Sequence, residues 1–160
     1  MHGSVPPPDS TARVCGIYRL TRLTSTVRGM SDARARIRSG LLVEGLSKPV
    51  DLNAVDWHVK HRNPSASPSE IQNETLEIIR DVVSEGLFRL GSVSDKNGRF
   101  VAWRRSLDRS MHKISHAYLK HYDDPERWMF SAWLALTAKG DELAECLEKN
   151  GIDLCPGRGA

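Results

Sequence analysis

The run SPSEIQNETLEIIRDVVSEGLFRLGSV, residues 67–93, decides how this chain is read. Ser67 and Glu70 stand three apart with Pro68 between them, which is the pattern of a capping box with proline at the first helical position. Ile71, Thr75, Ile78, Ile79, Val82 and Val83 then recur at helical spacing. Gly86 predicts a left-handed stop to that helix. Leu87, Phe88, Leu90 and Val93 read as the strand that follows. A capped helix running straight into a strand points to an α+β domain.

Working toward the C-terminus, Asp95-Lys96-Asn97-Gly98 is a turn, because Asn-Gly tolerates positive φ. Arg99 to Trp103 reads as the returning strand of a hairpin. Ser106 caps a helix over 106–121 with Leu107, Met111, Ile114, Tyr118 and Tyr122 directed inward. Asp123-Asp124-Pro125 breaks it. Within the apolar run Trp128 to Leu136, the residues Trp133, Leu134 and Leu136 predict a buried strand. Thr137 then caps a last helix with Leu143, Ala144 and Leu147 inward, and Asn150-Gly151 stops it. Toward the N-terminus, Asp51 caps a helix through Arg62 with Leu52, Val55 and Val59 on one face, ended by Asn63-Pro64-Ser65. The order is helix, helix, hairpin, helix, strand, helix. It sets a domain over 49–150 and a frayed tail over 151–160.

Residues 1–48 read as a flexible basic arm. Pro6-Pro7-Pro8 opens it, and Val14, Ile17, Leu20 and Leu23 are too sparse to build a core. The stretch Arg19 to Arg38 has the Arg-rich, acid-poor composition of an organelle transit peptide; Met30 is an alternative start of translation. A short helix is expected over 31–46, capped by Ser31 with Ile37, Leu41 and Leu42 near one face and weakened by Gly40 and Gly45.

The segment Glu85-Gly86-Leu87-Phe88 resembles the end of the third helix of winged-helix domains, where "EGL" passes into the first wing strand. The segment Trp133-Leu134-Ala135-Leu136-Thr137-Ala138-Lys139-Gly140-Asp141-Glu142-Leu143 resembles the "LTxKGxxL" stretch of repressors of the multiple-antibiotic-resistance and phenolic-acid types. In those repressors a wing strand runs into a helix that begins at the threonine. The likeness covers residues 68–93 and 131–147 and implies a winged-helix-like domain. One departure stands out: the helix 106–121 intervenes where the repressors pass directly from the wing to the "LT" strand.

The net charge of +3 conceals opposed blocks. Residues 1–50 carry +5, 51–95 carry −4, 96–120 carry +6 and 121–160 carry −4. The helix 68–85 holds Glu70, Glu74, Glu77, Asp81 and Glu85 against Arg80 alone. Pressing such a face on phosphate adds repulsion, so Gln72 and Asn73 are poorly placed to read bases. The basic stretch Lys96, Arg99, Arg104, Arg105, Arg109 and Lys113, interleaved with Phe100 and Trp103, is the alternative contact for nucleic acid. Its bland reading is a solvated face ion-paired with the acidic helix, and the acidic helix in turn reads as solvated.

Enzymatic signatures are missing: the sequence has no GxSxG, Walker A, GxGxxG or HExxH. His112 and His116 stand four apart, a spacing that chelates zinc from one helix face, but no third ligand is indicated. His58, His61 and His121 add none. Cys15 and Cys155 lie outside the periodic segments, and Cys146 reads as a buried thiol in a reducing, cytoplasmic setting. No run of about 18 apolar residues predicts a membrane span. Trp57 falls outside the Leu52/Val55/Val59 stripe and is the candidate for a protein interface. The expectation is a non-enzymatic interaction module without a cofactor, binding a protein partner. Duplex DNA is the alternative ligand, and a homodimer is compatible with either.

Overall fold

The computed structural model describes residues 28–150. Among the described residues, five α-helices and one sheet run in the order α1 (Arg28–Gly45), β1 (Val50–Asp51), α2 (Leu52–Arg62), α3 (Pro68–Ser84), β2 (Phe88–Val93), β3 (Phe100–Ala102), α4 (Leu107–Lys120), β4 (Trp133–Leu136) and α5 (Ala138–Asn150). A 3-10 turn at Pro125–Arg127 leads toward β4. The fold is α+β, as the helix-to-strand junction at Gly86 indicates. Residues 1–27 of the arm expected over 1–48, and the tail 151–160, lie outside the described residues.

Local signals in the sequence act as expected. The Ser67 hydroxyl accepts from the Glu70 amide at 3.2 Å while the Glu70 carboxylate accepts from the Ser67 amide at 2.8 Å. Gly86 adopts φ +77, the left-handed region that ends α3. At the hairpin tip only Gly98 takes a positive φ; Asn97 instead uses its side-chain oxygen to accept from the Arg99 amide at 3.0 Å.

The four strands are antiparallel and ordered β1-β4-β2-β3. β4 lies between β1 and β2, with Leu134 opposite both Val50 and Leu90. β1 has two residues, too few for an alternating pattern, and the sequence reading missed it. One face of the sheet joins the core through Val50, Phe88, Leu90 and Leu134, packed with the stripes of α2, α3 and α4. Each fully buried aliphatic side chain there contributes about 1.5–3 kcal/mol.

The domain boundary at Pro49 needs correcting. Helix α1 places Ile37, Leu41 and Leu42 at 0–1% exposure within the same core. The apolar stripe outweighs the helix-weakening effect of Gly40 and Gly45, because tertiary burial is worth more than propensity. At Gly45 the helix closes tightly on the sheet. A β-carbon there would sit 3.0 Å from Leu136 and 3.3 Å from the Phe88 ring. Residues 28–48 therefore belong to the domain, not to an arm.

The two segments that carry the winged-helix resemblance touch each other. The Thr137 hydroxyl, which accepts from the Gly140 amide at 3.0 Å to cap α5, donates to the Gly86 carbonyl at 2.5 Å. The Thr137 amide donates to the Leu87 carbonyl at 3.0 Å, and Lys139 Nζ reaches the Glu85 carbonyl at 2.9 Å. Gly140 packs so closely on Leu87 that a β-carbon would lie on that carbonyl. The carbonyls of Glu85, Gly86 and Leu87, just past the end of α3, thus find donors at the start of α5, while the last-turn carbonyls of Asp81, Val82 and Val83 accept from the amides of Glu85, Leu87 and Gly86.

Candidate functional site

Where the carboxylates of α3 go determines what is left for a ligand. Arg34 of α1 grips Glu74 with two guanidinium nitrogens, at 2.5 and 2.8 Å, and reaches Glu77 at 3.2 Å and Asp81 at 3.5 Å. Glu74 is buried beneath it. Arg38, 2% exposed, pairs with Glu85 at 2.7 Å. The acidic helix is therefore only partly a solvated face: Glu74, Asp81 and Glu85 are drawn onto α1, while Glu70 and Glu77 remain exposed. The hydrogen bond to Glu74, ahead of the opposing effect of burial, holds the Arg34 guanidinium still more firmly in its charged form.

The expected pairing of the basic stretch with α3 does not form. Lys96, Arg99, Arg104, Arg105, Arg109 and Lys113 are all exposed, and among the described residues none of them pairs with a carboxylate. The one ion pair between the two blocks runs the other way: Arg80 of α3 meets Asp108 of α4 at 3.0 Å. Long-range charge balance suggested the wrong partners: α4 packs on α3 but meets it through Asp108, while Arg34 and Arg38 of α1 reach the carboxylates.

The basic residues are organised by Trp103. Its indole Nε1 donates to the Ser92 hydroxyl at 2.8 Å, which fixes the ring. Arg105 lies over that ring at 5.2 Å and Lys113 at 5.4 Å, so the exit of the hairpin and the exposed side of α4 converge on one aromatic base. Arg109 sits one turn before Lys113 on α4. Arg99 precedes β3, roughly 13 Å from Trp103 at the rise of an extended strand, and Lys96 lies beyond it in the hairpin turn. A groove of about 320 Å³ opens beside this cluster, lined by Phe88, Leu90, Trp103, Arg105, Leu107 and Ser110.

The other candidates disperse. His112 and His116 are exposed on α4, and among the described residues no group of three or more His, Cys, Asp or Glu side chains is placed to hold a metal. His58 instead meets Glu44 at 3.0 Å, and His61 stacks on Trp57 with ring centres 4.8 Å apart. Trp57 is 55% exposed, as its position off the α2 stripe requires. Cys146 is 6% exposed and disulfide-bonded rather than a free thiol.

Two features escaped the sequence reading. One is Asp56, 2% exposed, which accepts from the hydroxyls of Tyr118 at 2.5 Å and Tyr122 at 3.1 Å and pairs with Lys60 at 2.8 Å. The signal was present: position 56 falls on the same helical face as Leu52, Val55 and Val59. The other is the second face of the sheet, which carries Arg89, Phe100 and Trp133 around Gly91. Among the described residues, no helix is long and apolar enough to cross a membrane. No protein-family model, no curated protein and no solved structure matches the chain.

Proposed function

We propose that this chain is a nucleic-acid-binding module of winged-helix-like type that meets phosphates with its hairpin and α4 rather than with α3. The observation carrying this reading is the lopsided ion pairing. Arg34 and Arg38 take up Glu74, Glu77, Asp81 and Glu85, while the basic stretch keeps exposed cations free of acidic partners among the described residues. An uncompensated cluster of Arg and Lys near a projecting hairpin suits a polyanion. The winged-helix reading is supported by the junction of Glu85-Gly86-Leu87 with Thr137-Ala138-Lys139-Gly140. It is supported also by β4, which pairs directly with β2 as a returning wing strand does. On this view β3 and α4 are an insertion within the wing, which accounts for the departure from the repressor pattern.

Duplex DNA of about 20 base pairs is expected to bind at about 50 mM salt and to weaken steeply toward about 200 mM. Each lost phosphate contact lowers the slope of log affinity against log salt by about 0.9, so Arg99→Ala with Arg104→Ala should lower it by about 2. Fluorescence anisotropy across a salt series measures this. Failure to bind at about 50 mM would remove duplex DNA as the ligand.

A protein partner docked on Trp57 is the second reading, supported by the exposure of that ring against His61. It requires Trp57→Ala to leave the melting temperature within a degree or two while weakening capture of the partner. A large drop in melting temperature would assign Trp57 to packing.

A further inference from the structure

The outer face of the sheet carries flat aromatic surface that the core does not use. Gly91 pairs with Trp133 on one side and Ala102 on the other. It must be glycine, since a β-carbon there would lie 2.6 Å from the Phe100 ring and closer still to the Val101 carbonyl. The missing side chain lets the Phe100 ring lie down over the strand. Arg89, two residues away on the same face, stands over that ring at 5.7 Å. On the other side of Gly91, Phe130 stacks on Trp133 with ring centres 5.8 Å apart and planes 12° from parallel. Phe130 is 58% exposed, a large apolar surface for a side chain that packs no core.

The cations beside these rings are without acidic partners among the described residues. Arg89 is exposed and makes no ion pair among the described residues. Arg99, also exposed, precedes Phe100 at the hairpin tip. The strand acid on this face, Asp51 opposite Trp133, turns its carboxylate to the Ala54 amide at 2.7 Å to cap α2. One exposed and two half-buried rings at a sheet face, with guanidinium groups and no uncommitted strand carboxylate, match what unpaired bases on a phosphate backbone need. A folded duplex buries its base faces in its own stack and offers nothing to such a surface.

The geometry points to a stacking platform for single-stranded nucleic acid, formed by Phe100, Trp133 and Phe130 with Arg89 beside it. This rests on the reading that nucleic acid is the ligand, and it adds an unpaired segment to the duplex phosphates tracked by the hairpin. Stacking is sequence-tolerant because every base has a π-face.

The test titrates the full chain with a fluorescein-labelled dT15 strand and, separately, with a blunt duplex. Phe130→Ala is the main variant, since that ring is exposed, and Phe130→Trp is the conservative one. The expected result is that dT15 binds, that Phe130→Ala weakens it roughly tenfold, as loss of one stacked base does, and that Phe130→Trp restores it. Duplex affinity should be unchanged by either variant. Binding of duplex with no binding of dT15 overturns the platform and leaves the hairpin reading standing. Equal dT15 affinity in the parent and Phe130→Ala also overturns the platform. Binding of neither ligand overturns both. A parent that sediments as a dimer, a monomeric Phe130→Ala and no dT15 binding would assign this face to a second copy of the chain, and so overturn the platform.

Discussion

A chain shortened to begin at Pro49 is expected not to fold. The loss includes Ile37, Leu41 and Leu42, all fully buried. At about 1.5–3 kcal/mol each, these three side chains account for roughly 5–9 kcal/mol. Typical domains have a total stability of only about 5–15 kcal/mol. The same truncation exposes the surface of Phe88 and Leu136 against which α1 closes at Gly45. It also leaves Glu74 and Glu85 without the guanidinium groups of Arg34 and Arg38. A buried carboxylate stripped of its partner costs more than the pair was worth. The shortened chain should therefore show no cooperative thermal transition and poor dispersion of amide resonances. The graded version is Leu41→Ala, expected to cost about 2–5 kcal/mol by urea denaturation, since a large side chain is removed from a fully enclosed position. A truncated chain melting cooperatively at the parent temperature would show α1 to be an ornament on the core, and would return the boundary to residue 49.

That boundary shows what the sequence could and could not convey. The helix α1 was visible from Ile37, Leu41 and Leu42, but its role was not, because membership of the core depends on partners distant in the chain. The capping box at Ser67 and the stop at Gly86 were legible because each is a local arrangement of hydrogen bonds or backbone angle. Strand β1 was illegible at two residues, since it exists only through pairing with β4. Composition by blocks located the acids and bases correctly and matched them wrongly; only the packing of α1 on α3 decides which cation meets which carboxylate. The exposed residues of the basic stretch were found at once, whereas Arg89 and Phe130 were not. Their common surface is set by the register of Trp133 opposite Gly91, which no spacing along the chain encodes.

Asp56 is the position where a single substitution should cost most. Its carboxylate sits 2% exposed between α2 and α4 and satisfies the hydroxyls of Tyr118 and Tyr122 together with the Lys60 ammonium. Tyr118 has no access to water that could replace the bond. Asp56→Ala would therefore orphan a buried hydroxyl as well as open a cavity, at a cost of about 3–5 kcal/mol. Asp56→Asn keeps an oxygen for the tyrosines and should cost less, about 1–3 kcal/mol. In a double-mutant cycle, Asp56→Ala and Tyr118→Phe should be less than additive, because either change alone breaks the same bond. The network also sets a pH limit. Burial, and then the bond to Asp56, push the Tyr118 hydroxyl well above the ordinary tyrosine range, and the bond to Asp56 raises the Lys60 ammonium. The unfolded chain thus loses both protons first. Stability is fully present below about pH 10 and declines as the pH rises beyond it. Denaturation measured at neutral pH and again above pH 10 should show that decline, and Tyr118→Phe should shrink it. An Asp56→Ala chain within about 0.5 kcal/mol of its parent would mean that α2 and α4 are joined by apolar contact alone, with the polar network incidental to it.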